Sequence, residues 1–167
     1  MTPSNAASTP RFARATHIVS PAHQLIVGVP CPLERATTVV VSTLEQWGFL
    51  VFAEEPAASL TNAFITRSVA RQVLALDPRH ANLILAHNPS ALIELPLKFM
   101  ILASGGGATV RCNDPAVVFA TYDGLALVAE ELSALCQSVL RAIIRACSDS
   151  TCSGPSESAA PLLRIQS

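Results

Sequence analysis

His87, Asn88, Lys98, Asn113 and Asp114 are the residues whose types and spacing can do chemistry, because each falls at a strand end or in an adjoining loop, where binding groups gather. His87 and Asp114 would serve as a general acid and base pair, and Lys98 would hold an anion. Asn88 and Asn113 would supply ligand-binding amides. Turn chemistry competes with this reading. Asn88-Pro89 and Asn113-Asp114-Pro115 are turn formers whose side chains bond nearby backbone, and an isolated histidine beside a strand is ordinarily a satisfied structural group. The competing account explains most of the set, so the chain leans away from an enzyme.

Other candidate motifs are weaker. Gly105-Gly106-Gly107 is followed by a strand-like run, whereas a phosphate-cradling loop precedes a helix whose N-terminus faces the anion. Neither a Gly-x-Ser-x-Gly elbow nor a Walker loop occurs. The five cysteines, Cys31, Cys112, Cys136, Cys147 and Cys152, form an odd, irregularly spaced set. That pattern predicts free thiols, no intrachain disulfide and no bound metal, since a structural zinc site wants two close ligand pairs. Cys112 and Cys136 fit apolar stripes and read as small core residues. Cys31, between Pro30 and Pro32, reads as exposed but lacks a basic neighbour to activate it. His17, His23 and His80 show no ligand spacing and read as surface residues. No cofactor is implied.

Composition narrows the class. Half the 167 residues are apolar and 14% are charged, which argues against intrinsic disorder and leaves apolar surface for a partner. A formal charge of −1 without clustered Lys and Arg argues against nucleic acid. Leu25 to Val29 is too short for a signal-peptide core, and the apolar stretch from Leu125 to Cys147 is interrupted by Glu130, Glu131, Arg141 and Arg145. The expectation is a cytoplasmic protein with no membrane partner.

The elements that must position these residues follow from periodicity. His23 to Val29 reads as a strand closed by Pro30. Leu33, Thr37, Val40, Leu44 and Trp47 keep helical spacing over about 32 to 47, past the β-branched run at 37–41, and Gly48 sits where a left-handed cap belongs. Phe49 to Ala53 reads as a strand, Thr66 to Leu76 as a helix stopped by Asp77-Pro78, and Asn82 to Ala86 as a strand. Leu97 to Ala103 and Ala108 to Cys112 form a hairpin around Ser104 to Gly107. A long amphipathic helix runs from Leu125 to Cys147, with Leu132, Leu135, Val139 and Ile143 on its apolar stripe. The ends, 1–21 and 148–167, are rich in Ser, Thr, Ala and Pro and read as disordered tails around one domain spanning 22–147. This order predicts an α+β two-layer sandwich: a mixed sheet of about five strands, with helices on one face.

Several short motifs occur in an order that resembles the bacterial and archaeal "domain of unknown function 302" family. They are Trp47-Gly48-Phe49 with Val51-Phe52-Ala53, then Leu83 to Pro89, Leu95-Pro96-Leu97-Lys98, the glycine turn and Asn113-Asp114-Pro115, over about residues 24 to 125. The chain departs from the family pattern in having Ala86-His87 where Phe-Gly is common, and only Ser90 to Glu94 before Leu95-Pro96. That puts in doubt any pocket the longer family segment would shape. The resemblance implies no established activity, and it implies dimerisation.

The leading reading is therefore a binding or interaction module that forms a homodimer through the long helix, with Leu140 or Ile144 left for a neighbour, or through the sheet face opposite the helices. The alternative is a small ligand-binding protein or enzyme using the region of His87, Asn88, Lys98 and Asp114, with a small molecule as partner.

Overall fold

The structure, a computed structural model, describes residues 23–56 and 70–149. The expected tails therefore lie largely outside the described residues. Strand β1 (Gln24–Val29) leads into helix α1 (Leu33–Gln46), then β2 (Leu50–Pro56), β3 (Ala70–Leu76) and helix α2 (Pro78–His87). A 3₁₀ turn (Pro89–Glu94), the hairpin β4 (Leu97–Ser104) and β5 (Gly107–Asn113), the short helix α3 (Pro115–Val118), a second 3₁₀ turn (Phe119–Thr121) and α4 (Ala126–Asp149) complete the order. Helix α4 continues through Ser148 and Asp149, two residues into the segment read as a tail.

The five strands form one sheet in the order β1-β5-β4-β3-β2. The α+β sandwich is as expected, but every pairing is antiparallel where the sequence reading has a mixed sheet. The reason is local. The segment read as a helix over 66–76 is β3 in its described part, and the segment read as a strand over 82–86 lies inside α2. Ala, Arg, Gln and Leu favour helix, yet β3 gains a hydrogen-bonding partner on each side, β2 and β4, and pairing overrides propensity. Asp77-Pro78 starts a helix rather than stopping one. The Asp77 carboxylate accepts from the backbone N–H groups of Arg79 and His80, and Pro78 occupies the first helical position, where a missing N–H costs nothing.

The helix α1 survives its β-branched run because its apolar stripe of Leu33, Ala36, Val40 and Leu44 is buried on the sheet, and Thr37 satisfies its hydroxyl on the Leu33 carbonyl at 2.8 Å. Its end is closed by Gly48 at φ +85°. The N–H of Gly48 bonds the Glu45 carbonyl and that of Phe49 bonds the Leu44 carbonyl, each at 3.0 Å, while Leu44 and Phe49 are both buried. Across the sheet, Ser104 pairs with Gly107 around Gly105-Gly106, so the hairpin stands as expected. Gly107 is required for a different reason than a left-handed turn: a Cβ there would meet the Val29 carbonyl oxygen at 2.1 Å.

One sheet face is buried. Val27, Val110, Phe99, Ile101 and Val73 from the strands pack against α1 and against Leu132, Cys136, Val139, Leu140 and Ile143 of α4. Leu140 is fully buried, which removes it from any interface, and Ile144 packs on the same core. The outward positions of α4 include Glu130, Glu131, Arg141 and Arg145, with Leu127 exposed in its first turn. Among the described residues no helix crosses the other sheet face. Ile26, Leu74, Leu76, Met100 and Leu102 lie half-buried there, with Arg111 between Ile26 and Met100 in the cross-strand row. No helix among the described residues is long and apolar enough to cross a membrane.

Candidate functional site

The strand ends and turns hold the five sequence-derived candidates in different environments. His87 closes α2, and its Nδ1 bonds the Leu83 carbonyl one turn back at 2.8 Å. Asn88 follows as a hinge between α2 and the 3₁₀ turn: its backbone N–H bonds the Ile84 carbonyl, its amide donates to the Asp123 carbonyl at 3.2 Å, and its carbonyl oxygen accepts from Ser90. Asp114 caps α3, accepting from the Ala116 N–H at 3.0 Å and from the Ser133 hydroxyl at 2.6 Å. The imidazole of His87 and the carboxylate of Asp114 are each bonded to these structural partners and not to one another. Lys98 and Asn113 do come together. Both are exposed at the edge of a 60 Å³ cleft that also includes Glu94, Pro96 and Phe119. That is room for about two waters, well below the roughly 300–1,000 Å³ of a small-molecule site.

A second constellation, absent from the sequence reading, is better built. His80 is read from sequence as a surface residue, but it is buried. Its place in the first turn of α2, three residues after the capping Asp77, turns the ring onto that carboxylate, and Nδ1 bonds Asp77 Oδ2. The carboxylate thus serves two masters, the helix N-terminus and the ring. With Nδ1–H engaged, Nε2 faces α4, 3.9 Å from Glu131 Oε2, and it is buried without a hydrogen-bond partner among the described residues. The groove beside it, about 460 Å³, is lined by Trp47, Arg79, Ala134 and Leu135 as well as the three polar residues. Trp47 stands 42% exposed at the end of α1, so the groove offers an indole face, a guanidinium and the Glu131 carboxylate, while the unsatisfied imidazole nitrogen is buried behind them. Such a set can accept a hydrogen bond from a ligand at the carboxylate while an aromatic surface covers its apolar part. The signal available in the sequence was Asp77-Pro78-x-His80, a capping aspartate with a histidine at the third helical position; Glu131 is 51 positions downstream and nothing local announces it.

The thiols are also rearranged by the fold. Cys31, Cys112, Cys136 and Cys147 are free and buried, which corrects the expectation of an exposed Cys31. Cys112 and Cys136 share a hydrogen bond in the core, and this bond and burial push the Cys136 thiol well above its ordinary range. No group of three or more His, Cys, Asp or Glu among the described residues is arranged to hold a metal ion.

A five-stranded antiparallel sheet with helices on one face and a long C-terminal helix along them defines an α+β two-layer protein, and comparison with known proteins agrees. The family model described as "Domain of unknown function DUF302" matches residues 26–144, and the chain belongs to that family. A solved structure described as "uncharacterized conserved protein DUF302 from Bacillus stearothermophilus" has a similar fold, with a TM-score of 0.62 at 18% identity, over 74% of this chain and 97% of that one. No curated protein matches the chain.

Proposed function

We propose that the protein is a non-enzymatic interaction module that forms a homodimer through the open face of its sheet. The observation that carries this is Arg111. It stands between Ile26 and Met100 in the cross-strand row, and its Nε is buried with no hydrogen-bond partner among the described residues. An orphaned buried donor costs about 1–3 kcal/mol, and a facing surface with acceptors removes that cost. A second copy supplies them, because the same face carries Gln24, Gln72, Thr109 and Asn113 beside the half-buried Leu74, Leu76 and Leu102. The face measures roughly 20 Å on a side at sheet spacings, which suits the centre of a standard interface. Free thiols fit a reducing compartment, so a cytoplasmic location belongs to the same reading. Sedimentation equilibrium tests it: wild-type protein should be dimeric at micromolar concentration, and Met100→Glu or Leu102→Glu should be a folded monomer. A monomeric wild type ends the proposal.

The orphaned Nε2 of His80 favours a second reading, a small-ligand site. The sequence places such a site around His87, Asn88, Lys98 and Asp114, whereas the groove at His80, Glu131 and Trp47 has the volume and the unsatisfied group. Thermal-shift screening against a metabolite library tests it. A ligand present at 100 times its dissociation constant adds about 2.7 kcal/mol, and His80→Gln should abolish the shift.

A further inference from the structure

Cys31 and Cys147 are 116 positions apart in the chain, yet the Cys31 thiol donates to Cys147 Sγ across only 2.8 Å. Cys31 sits in the turn between β1 and α1, and Cys147 in the last turn of α4. A disulfide holds its sulfurs about 2.05 Å apart, so the two thiols need to close by less than 1 Å. Cys147 lies beyond the region matched by the family model, so the pair does not come with family membership.

All four thiols are buried, and position rather than exposure separates this pair from Cys112 and Cys136, which meet inside the core. Cys31 lines a surface groove of about 620 Å³ between Pro30, Pro32 and the hairpin turn at Ser104 and Gly107, whereas Cys147 lies behind it with no exposed surface. From this arrangement we infer that Cys31 and Cys147 are a site of reversible oxidative modification, forming an intrachain disulfide by exchange with low-molecular-weight disulfides.

The order of events follows from position. Cys31 loses its proton and attacks one sulfur of the incoming disulfide, which breaks; one thiol leaves carrying that proton, and a mixed disulfide remains on Cys31. Cys147 then loses its proton and attacks Cys31 Sγ, the mixed disulfide breaks, and a second small thiol leaves. Two protein thiols are oxidised, and one small disulfide is reduced to two thiols. Burial pushes the Cys147 thiol up to about 12, so it stays protonated and unreactive towards reagents until an electrophilic sulfur is placed beside it. The resulting bond ties the start of α1 to the end of α4, the two helices that cover the sheet.

The experiment is incubation of the native full-length protein with oxidised glutathione, followed by alkylation and peptide mapping by mass spectrometry without reduction. The expected result is loss of two of the five thiols, a cross-linked peptide joining Cys31 to Cys147, full reversal by dithiothreitol, and a higher Tm for the oxidised form. Cys152→Ser should behave as wild type, and Cys31→Ala should leave Cys147 unmodified. Five titratable thiols after incubation, a stable glutathione adduct on Cys31, a bond to Cys152 or an intermolecular bond would each overturn the inference. The map of the wild-type protein decides the matter even if a variant folds poorly.

Discussion

His80 Nε2 lies 3.9 Å from Glu131 Oε2 while its other ring nitrogen bonds Asp77, so one buried imidazole connects the capped start of α2 to the outer side of α4. The contact joins residues from two elements that sequence spacing does not relate. Replacing Asp77 with Ala removes both the helix cap and the ring's partner. A cap is worth about 1 kcal/mol and the side-chain bond a similar amount, so Asp77→Ala should lower stability by about 1–3 kcal/mol in urea titration. Asp77→Asn keeps an acceptor for the backbone N–H groups and should cost less. Equal losses for the two variants would mean that the cap contributes nothing and that the ring contact accounts for the whole loss.

Adjacent glycines in the hairpin should respond differently to the same substitution. A Cβ at Gly107 meets the Val29 carbonyl oxygen at 2.1 Å, a backbone atom that cannot move aside without breaking the β1 to β5 pairing, whereas a Cβ at Gly106 meets nothing within 4 Å. Gly107→Ala should therefore cost roughly 2–4 kcal/mol. Gly106→Ala should stay within about 0.5 kcal/mol of wild type. Chemical denaturation of the two variants side by side provides the comparison, and a tolerated Gly107→Ala would contradict the close approach.

Leu140 and Met100 separate the core from the proposed interface. Leu140 on α4 is fully buried, so Leu140→Glu places an unpaired charge in the core and should cost on the order of 4 kcal/mol or more. Met100 is half-buried on the open sheet face, so Met100→Glu should retain the wild-type circular dichroism spectrum and lose only self-association. Near-wild-type stability for Leu140→Glu would show that α4 does not pack as described.

Alkaline pH should destabilise the protein in part through Cys147. Its folded-state pKa is raised from 9.0 to about 12, chiefly by burial, so above pH 9 the unfolded chain binds fewer protons than the native one and stability falls as pH rises. The contribution is fully present below pH 9 and is lost between pH 9 and about 12. Cys147→Ala should flatten the unfolding free energy over that window relative to wild type. An unchanged slope would assign the alkaline loss to other groups.

Long, strongly periodic segments were legible in the sequence by itself. Helix α4 shows its stripe over six turns, α1 carries both its stripe and the Gly48 cap, and the apolar runs beside Gly105-Gly106 read as a hairpin, because each signal is local and repeated. Residues 70–76 read as helix and 82–86 as strand in the sequence, the reverse of the structure. An apolar run of five to seven residues fits helix and strand alike, so the choice fell to tertiary structure: β3 has strands on both sides, and α2 has the Asp77 cap. The sites followed the same division. Asn88 and Asp114 were legible as turn formers because their bonds are mostly to neighbours in the chain, whereas the cap that Asp114 supplies to α3 appears only in the structure. The meeting of His80 with Glu131, and of Cys31 with Cys147, was decided only by tertiary structure, because packing α4 along the sheet brings together side chains that no spacing along the chain relates.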